Sequence, residues 1–402
     1  MPRRLFLYDD AIAREWQPFA ATRPIGELLF GTATLRARAE ARLGLVCEAH
    51  VAAEPLRHFE ETDAPPCIIA GAEEARGDRV YLSSRFVPDE HVALDFEEPT
   101  VLLGDTGPVG AWLPDGESFP TTAPAGRWPR WPRYRVGGAL LGSAWELMAS
   151  NPGRIKADAH RFPDQGVPSG VHRLGAGHVA VSPESQVEPG VILDTTDGPV
   201  IVDAGARVQA PCRIVGPAYL GIGAILLGGV VAHSGIGPAC RIHGEVRTTV
   251  MLGFSNKAHE GYLGHAIVGK WVNLGAMTTN SDLKHTYRSV RSRVGGRTID
   301  TGLTKAGCLV GDHVRTGIGT LINTGTVIGA GTSVYGGELV SGWVPPFSWG
   351  AAGAWAEYDI ERFIATAATV MARRRVEMTA RMRRHCRTVF AATAPSRSKM
   401  ER

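Results

Sequence analysis

Val310–Val340 reads VGDHVRTGIGTLINTGTVIGAGTSVYGGELV. Within it Val310, Thr316, Ile322, Ile328, Val334 and Val340 recur at a strict six-residue step, and the residues that follow them are Gly, Gly, Asn, Gly, Tyr and Ser. Upstream, Val202, Val208, Ile214, Leu220 and Leu226 keep the same step, as do Val181, Val187 and Leu193. Six is neither the period of a helix (about 3.6) nor that of a strand (about 2). It fits short strands joined by turns, with one small aliphatic residue per side pointing inward and three sides closing a triangular coil of about 18 residues. Gly, Asn and Asp at the flanks accept turn conformations that β-branched residues resist. The pattern predicts a left-handed parallel β-helix of hexapeptide repeats over 170–350. Prisms of this class associate in parallel as trimers with sites at subunit interfaces, so a homotrimer is expected.

The period breaks between about Met277 and Gly307. The segment TTNSDLKHTYRSVRSRVGGRTIDTGLTK (Thr278–Lys305) carries several cations and few inward aliphatics, and predicts a loop extruded from the coils. Loops on a rigid scaffold are where binding and catalytic residues concentrate; a tolerated surface insertion is the plainer reading.

Outward from the repeat, residues 1 to about 110 alternate apolar runs (LFLY, LGLVCEAHVAA, CIIAGA, RVYLSS, TVLLG) with helix-like stretches such as GTATLRARAEARLG. That is an α/β pattern. SFPTTAPAGRWPRWPRY (118–134) is rich in Pro and Trp and reads as a linker or wrapped loop. A helix is expected near Ala144–Ala157, with Trp145, Leu147, Met148 and Ile155 as its apolar contacts. Pro345-Pro346 and Trp349-Gly350 are expected to end the coils. Beyond them Ile360, Phe363, Ile364, Ala367 and Met371 show helical spacing. One C-terminal helix carrying Arg373, Arg374, Arg375, Arg381, Arg383, Arg384 and Arg387 is expected, either as a solvated face or as a surface for an anionic partner. The expected divisions are 1–135 (α/β domain), 136–169 (linker with helix), 170–350 (β-helix) and 351–402 (helical, Arg-rich tail).

Composition narrows the classes. The chain has 402 residues, 44% hydrophobic and 21% charged, which excludes a largely disordered chain. Its 49 glycines follow no collagen period. A net charge of +3 gives no argument for nucleic acid. Six cysteines stand far apart with no zinc spacing, as expected of reduced, buried thiols. No signal peptide fits the start and no apolar run of about 18 residues exists, so a cytoplasmic protein without a membrane span is expected.

Gly253–Lys284, GFSNKAHEGYLGHAIVGKWVNLGAMTTNSDLK, resembles the acetyltransferase half of the bifunctional N-acetylglucosamine-1-phosphate uridyltransferase/glucosamine-1-phosphate acetyltransferases. The stretches Leu7–Asp10, Ala21–Gly31, Trp145–Asp158 and Ser255–Ala276 extend the likeness over nearly the whole chain, as a divergent bacterial branch of that family. The resemblance implies acetyl-CoA as donor, an amino-sugar 1-phosphate as acceptor, and a nucleotide-sugar product if the first domain is active.

Acetyl transfer to an amine needs a base for its proton and donors for the thioester oxyanion. His259, three residues before Tyr262-Leu263-Gly264, is the candidate base. Glu245 matches the glutamate that fixes that histidine, and Arg247 a lysine that holds the substrate phosphate. Tyr262 matches a phosphate-contacting tyrosine and Asn273 a sugar-binding asparagine. Backbone N–H groups near Ala276 are the oxyanion candidates. Lys257, Lys284 and Arg288 are candidate contacts to sugar phosphate or coenzyme A. His265 is expected to be structural. The chain departs from the family where an asparagine-tyrosine pair follows the GAGT turn, and it lacks an upstream phosphate-binding arginine.

The N-terminal departure is larger. Sugar nucleotidyltransferases open with a Gly-rich loop whose backbone N–H groups hold the nucleotide phosphates; here Tyr8-Asp9-Asp10-Ala11 stands instead. Asp10 and Arg23 are the nucleotide-binding candidates, and Asp105, in LLGDTG, is the candidate ligand for the Mg²⁺ such transfer uses. The first expectation is therefore a sugar-phosphate N-acetyltransferase with a coupled or degenerate nucleotidyltransferase domain. The alternatives are a sugar-1-phosphate nucleotidyltransferase whose β-helix only trimerises, and a non-enzymatic trimeric scaffold.

Overall fold

The computed structural model describes residues 3–69, 76–89, 94 and 96–398; the end of the CIIAGA run, residues 70–72, lies outside them. The chain divides into two compact units. The first comprises Met1–Leu28, Ala33–Ala144 and Thr379–Ala392, and the second Leu29–Thr32, Trp145–Met378 and Thr393–Arg402. Residues 136–169 and 351–402, expected as linker and tail, are each divided between the two.

The second unit is a parallel β-helix with three faces. Its first face stacks six strands from His172–Leu174 to Tyr262–Gly264, and its second stacks nine from Val179–Val181 to Trp343–Val344. The third face runs from Gln186–Val187 to Asn256–Lys257. It continues through the bridges Asn256–Asn273 and Asn273–Arg315 to Arg315–Thr316, Ser333–Val334 and Ser348–Ala351.

The six-residue positions are the interior. Val202, Val208, Ile214, Leu220 and Leu226 are buried in one cluster with Val310, Ile322, Ile328, Val334 and Val340. Each stacks on its equivalent one coil away, so the rod buries a continuous apolar column, worth about 1.5–3 kcal/mol per Val, Leu or Ile. Where the register is regular, Val200 pairs with Ala218 and Cys308 with Thr326, one full coil on. Gly235 pairs with Val250, a shorter coil in which one turn is tightened. Several tight corners use side chains where glycine is the easier choice, with positive φ at His233, Thr248, His265 and Trp271.

The expected loop is present but starts later than the broken period suggests. Thr279–Asn280 still pairs with Leu321–Ile322 on the first face. Asn280 also extends the ladder with its side chain, accepting from the Gly264 N–H at 2.8 Å and donating to the Gly264 carbonyl at 2.9 Å. The chain then leaves the coil, forms the antiparallel hairpin Arg291–Val294/Arg297–Asp300 and returns. Its neck is closed by a Leu283–Lys305 bridge and an Ala306 N–H donating to the Asp282 carbonyl.

The double proline does not end the coils. Ser348–Ala351 still adds to the third face, and an antiparallel return strand, Ala354–Glu357, closes it. The helix expected near Ala144–Ala157 is α2 below, numbered in chain order after α1 of the first unit. α1 (Leu35–Leu43) is capped by Thr34, whose hydroxyl accepts from the Ala37 N–H, and stops at Gly44 with φ 65°. α2 (Ala144–Asp158) buries Trp145, Leu147, Met148 and Ile155, and Ile155 packs with Ala180, Ile201 and Tyr219 of the β-helix. The single C-terminal helix expected is two. α3 (Ile360–Ala372) buries Phe363, Ile364, Ala367 and Met371. The chain then turns through Arg373–Arg375, with Arg375 at φ 59°, before α4 (Ala380–Arg397).

The first unit is built on a seven-stranded sheet in the order Arg133–Arg135, Thr100–Gly104, Gly107–Leu113, Arg79–Ser83, Arg4–Tyr8, Cys47–Ala52, Cys67–Ile69. The last four strands are parallel, and Gly107–Leu113 is antiparallel to both its neighbours. The Pro- and Trp-rich segment is a wrapped loop whose Trp128 and Trp131 pack on the cluster around Tyr8, Tyr81 and Phe119.

Candidate functional site

On the β-helix, the corner between the third and first faces opens into a cleft of about 580 Å³. His259, Asn273 and Ala276 line it together, with Arg241, Asn256 and Thr316. The local cause is the coil: Asn256–Lys257 ends one rung of the third face, and the chain turns through Ala258–Gly261 onto the first face at Tyr262. His259 sits at that exposed turn, and its ring has no hydrogen-bond partner among the described residues. The Ala276 N–H has no acceptor among them either, while its neighbours do: Gly275 donates to Thr316 and Met277 to Glu260. A free N–H beside a free imidazole gives the cleft one oxyanion donor and one proton acceptor.

Lys257 does not face this cleft, which corrects its reading as a substrate contact. It pairs in register with Ile242 and so points inward, where the preceding coil carries an aliphatic side chain. Its ammonium donates to the carbonyls of His243 at 2.8 Å and His259 at 3.1 Å. Burial pushes its pKa down to about 8. Gly244 leaves room for it, since a Cβ there would lie 3.0 Å from Nζ. Lys257 is an internal tie across the turn that carries His259.

Glu245 is also placed otherwise than expected. It shares one side of a strand with Arg247, two residues on, and accepts from the Arg247 Nε at 2.5 Å. Among the described residues it makes no hydrogen bond to His259. Tyr262 lies one rung further on the same face, paired with Glu245.

Asp282 is the residue that sequence reasoning missed. Its carboxylate accepts from the Tyr262 hydroxyl and from His265 Nδ1, both at 2.6 Å. Burial raises its pKa, but the hydrogen bonds from His265 and Tyr262 outweigh this and hold it below the usual carboxylate value. The Tyr262 phenol is raised, by burial and by the Asp282 charge. Gly264 has no side chain because the Tyr262 ring lies across it: a Cβ would meet the hydroxyl at 2.2 Å. The one sequence signal was position, since Asp282 opens the extruded loop. Lys284, on that loop, donates to the Ser289 carbonyl at 2.6 Å and is not brought to the cleft.

In the first unit the candidates are occupied by one another. Asp10 accepts from Arg85 Nε at 2.8 Å, Ser83 Oγ at 3.1 Å and the Ala13 N–H at 2.8 Å. Arg23, the other nucleotide-binding candidate, is buried 2.8 Å from Glu61 and is not open to a ligand there. Asp9 accepts from Ser84 Oγ at 2.6 Å and the Ile25 N–H at 3.2 Å, and burial raises its pKa. Asp105 lies exposed at the tip of the Thr100–Gly104/Gly107–Leu113 hairpin. Among the described residues no group of three or more His, Cys, Asp or Glu could hold a metal. A cleft of about 480 Å³ opens beyond the carboxyl ends of the parallel strands, where open α/β sheets take ligands. It is lined mainly by small apolar residues, with Arg14 and Glu54 as its charges; Asp10 and Arg23 are not part of it. No described helix is long and apolar enough to cross a membrane.

Residues 5–165 match the family model described as sugar nucleotidyl transferase. A curated relative from Sulfurisphaera tokodaii, a bifunctional sugar-1-phosphate nucleotidylyltransferase/acetyltransferase, is 36% identical over 78 residues. That match covers 19% of this chain and 20% of the relative, so the chain spans about a fifth of the relative's length. Among solved structures, an N-acyltransferase from Bacillus cereus complexed with dTDP-4-amino-4,6-dideoxyglucose and coenzyme A is 12% identical, with a TM-score of 0.22, covering 50% of this chain and 92% of that one. A hexapeptide-repeat acetyltransferase from Vibrio cholerae O1 biovar eltor, complexed with acetyl coenzyme A, is 18% identical, with a TM-score of 0.14, covering 52% and 85%. The β-helix assignment itself rests on the strand register.

Proposed function

We propose that the chain is a sugar-phosphate N-acetyltransferase of the branch it resembles, taking acetyl from acetyl-CoA to the amine of an amino-sugar 1-phosphate such as glucosamine 1-phosphate. The observation that carries this reading is the cleft that gathers His259, Asn273 and the unbonded Ala276 N–H. The neutral amine attacks the thioester carbonyl while His259 takes its proton. The tetrahedral oxyanion meets the Ala276 N–H, the C–S bond breaks, and the coenzyme A thiolate leaves to be protonated. Asn273 orients the sugar, and Arg247 with Tyr262 on the adjoining face holds its phosphate. A cytoplasmic homotrimer is part of this reading.

A second reading, sugar-1-phosphate nucleotidyl transfer by the first unit, is favoured by the match over residues 5–165. Among the described residues no group of three or more His, Cys, Asp or Glu is gathered; Mg²⁺ in this reading would be held by one or two carboxylates together with the nucleotide phosphates.

The test is thiol release from acetyl-CoA with glucosamine 1-phosphate, beside pyrophosphate release from UTP with N-acetylglucosamine 1-phosphate. Thiol release lost in His259→Ala supports the first reading. Pyrophosphate release with no thiol release supports the second.

A further inference from the structure

The third face of the β-helix carries a strip of arginine and asparagine side chains that make no ion pair among the described residues. Arg241 pairs in register with Asn256, Asn256 with Asn273, and Asn273 with Arg315. These four outward positions sit on successive rungs, about 4.8 Å apart. A third guanidinium arrives from the segment after α3. Arg374 donates to the Asn256 Oδ1 at 2.5 Å and to the Ala239 carbonyl at 3.2 Å. Asn256 in turn donates from Nδ2 to the Asn273 Oδ1 at 3.3 Å. The chain of donors fixes both amides and leaves the Asn273 NH₂ as an open donor beside the cleft that also holds Arg241 and His259.

The electrostatics point the same way. Arg315 is half-buried, and among the described residues its side chain has neither a hydrogen bond nor an ion pair. Burial lowers its pKa, and Tyr358 opposes that. Arg374 is lowered by burial and then by Arg241 and Arg373, with Cys240 as the only opposing group. No carboxylate stands among these neighbours. Arg241 repels Arg374, and Arg315 and Arg374 have each shed part of their water, so an anion seated among them relieves both costs. Planar forks spread over three rungs, with Arg374 at Asn256 between Arg241 and Arg315, suit the oxygens of a phosphate or pyrophosphate, which accept bidentate hydrogen bonds.

We propose that Arg241, Arg315 and Arg374, ranged around the Asn256–Asn273 pair, form a phosphate-binding subsite at the rim of the His259 cleft. The chemistry recognised is a phosphate or diphosphate group. It is supplied either by the coenzyme A part of the donor or by the phosphorylated acceptor. The proposal deepens the acetyltransferase reading and rests on it for the identity of the ligand, but not for the binding of the anion.

The test is calorimetric titration of the full chain with inorganic pyrophosphate. The variants are Arg241→Gln, Arg315→Gln and Arg374→Gln, with Arg207→Gln, an exposed arginine two rungs before Arg241 on the same face, as control. Each of the three is expected to weaken pyrophosphate binding about ten-fold or more, as loss of a charge-assisted hydrogen bond does, while Arg207→Gln binds as the wild type. Displacement of bound pyrophosphate by coenzyme A assigns the subsite to the donor, and displacement by glucosamine 1-phosphate assigns it to the acceptor. Equal pyrophosphate binding by wild type and all three variants, or no binding by the wild type at millimolar concentration, overturns the subsite. Weakened binding in the variants from a wild type that releases no thiol leaves the subsite standing and overturns the acetyltransferase reading alone. Melting curves of the variants separate these outcomes from misfolding, and Arg241, exposed at the surface, is the substitution with least reach into the core.

Discussion

In the β-helix, the side chains of His259, Arg241 and Arg315 stand without a hydrogen-bond partner among the described residues. In the nucleotidyltransferase-like unit the same kinds of side chain are consumed by one another: Asp10 by Arg85, Arg23 by Glu61, Asp9 by Ser84, and Glu27 by His50 and Arg36. A closed network of this kind pairs its charges internally and so holds together the unit that carries it. An open set contributes nothing to folding and even opposes it, so its presence is accounted for by what binds there. The two units thus teach where to look for chemistry. Polar density alone does not mark it; polar groups still waiting for a partner do.

The largest effect expected on that basis is at His259. His259→Ala should lower kcat for thiol release by about 10²–10⁴, the range for loss of a general base. The melting temperature should stay within about a degree, because the side chain is exposed and unbonded. Turnover within about three-fold of wild type would break the comparison at its open end.

At its closed end, the Glu27 carboxylate accepts from His50 Nε2 at 2.8 Å and Arg36 Nε at 2.6 Å. Burial opposes its charge, yet the two partners hold its pKa down to about 2. A folded pKa below the unfolded one adds stability that is present above the unfolded value of 4.5 and lost as pH falls through 2. Stability in urea unfolding of the wild type should therefore fall steeply between about pH 4.5 and pH 2. Glu27→Ala should lose about 3–5 kcal/mol at pH 7, since it leaves buried partners unpaired, and should be nearly flat over the acid range. A wild type with no acid slope would show the network to be weaker than its geometry.

How far these features can be read in the sequence differs between the units for the same reason. The β-helix is legible because each coil repeats one constraint, so Val310 and Ile328 announce themselves by spacing and are buried as read. His259, Asn273 and Ala276 were legible through a contiguous string that one cleft then gathers. Lys257 was not, because a charged residue on a repeat position looks exposed until its register with Ile242 turns it inward. Asp282 was not, because its partners Tyr262 and His265 lie a full coil earlier in the chain. The Asp10–Arg85 and Arg23–Glu61 pairs were hidden for the same cause: each is joined across a sheet or loop that no local pattern encodes.

Asp282 sharpens the comparison, being a closed polar group inside the open unit. Asp282→Asn removes the charge that Tyr262 and His265 both donate to, and a hydrogen bond to a charged group is worth about 1.5–3 kcal/mol. The neck of the extruded loop should loosen, seen as faster amide hydrogen exchange at Ala306, whose N–H donates to the Asp282 carbonyl. Thiol release should fall about ten-fold through Tyr262. Unchanged exchange would place the loop's anchorage in the Leu283–Lys305 bridge alone.

The smallest effect on stability is expected at Glu245, and it decides the most about mechanism. Its pair with Arg247 is 45% and 43% exposed, respectively, and exposed pairs contribute about 0–1 kcal/mol because solvent screens them. Glu245→Gln should thus leave the melting temperature nearly unchanged. The glutamine keeps an oxygen that Arg247 can donate to, so Arg247 stays positioned while the charge that could stabilise a protonated His259 is gone. If Glu245 acts only on Arg247, the KM for the sugar phosphate rises a few-fold and kcat holds. If the Glu245 side chain swings to His259 once substrate claims Arg247, kcat falls instead and the acid limb of its pH profile moves to lower pH. The split between KM and kcat therefore reads out whether this carboxylate belongs to the closed pairs or to the open cleft.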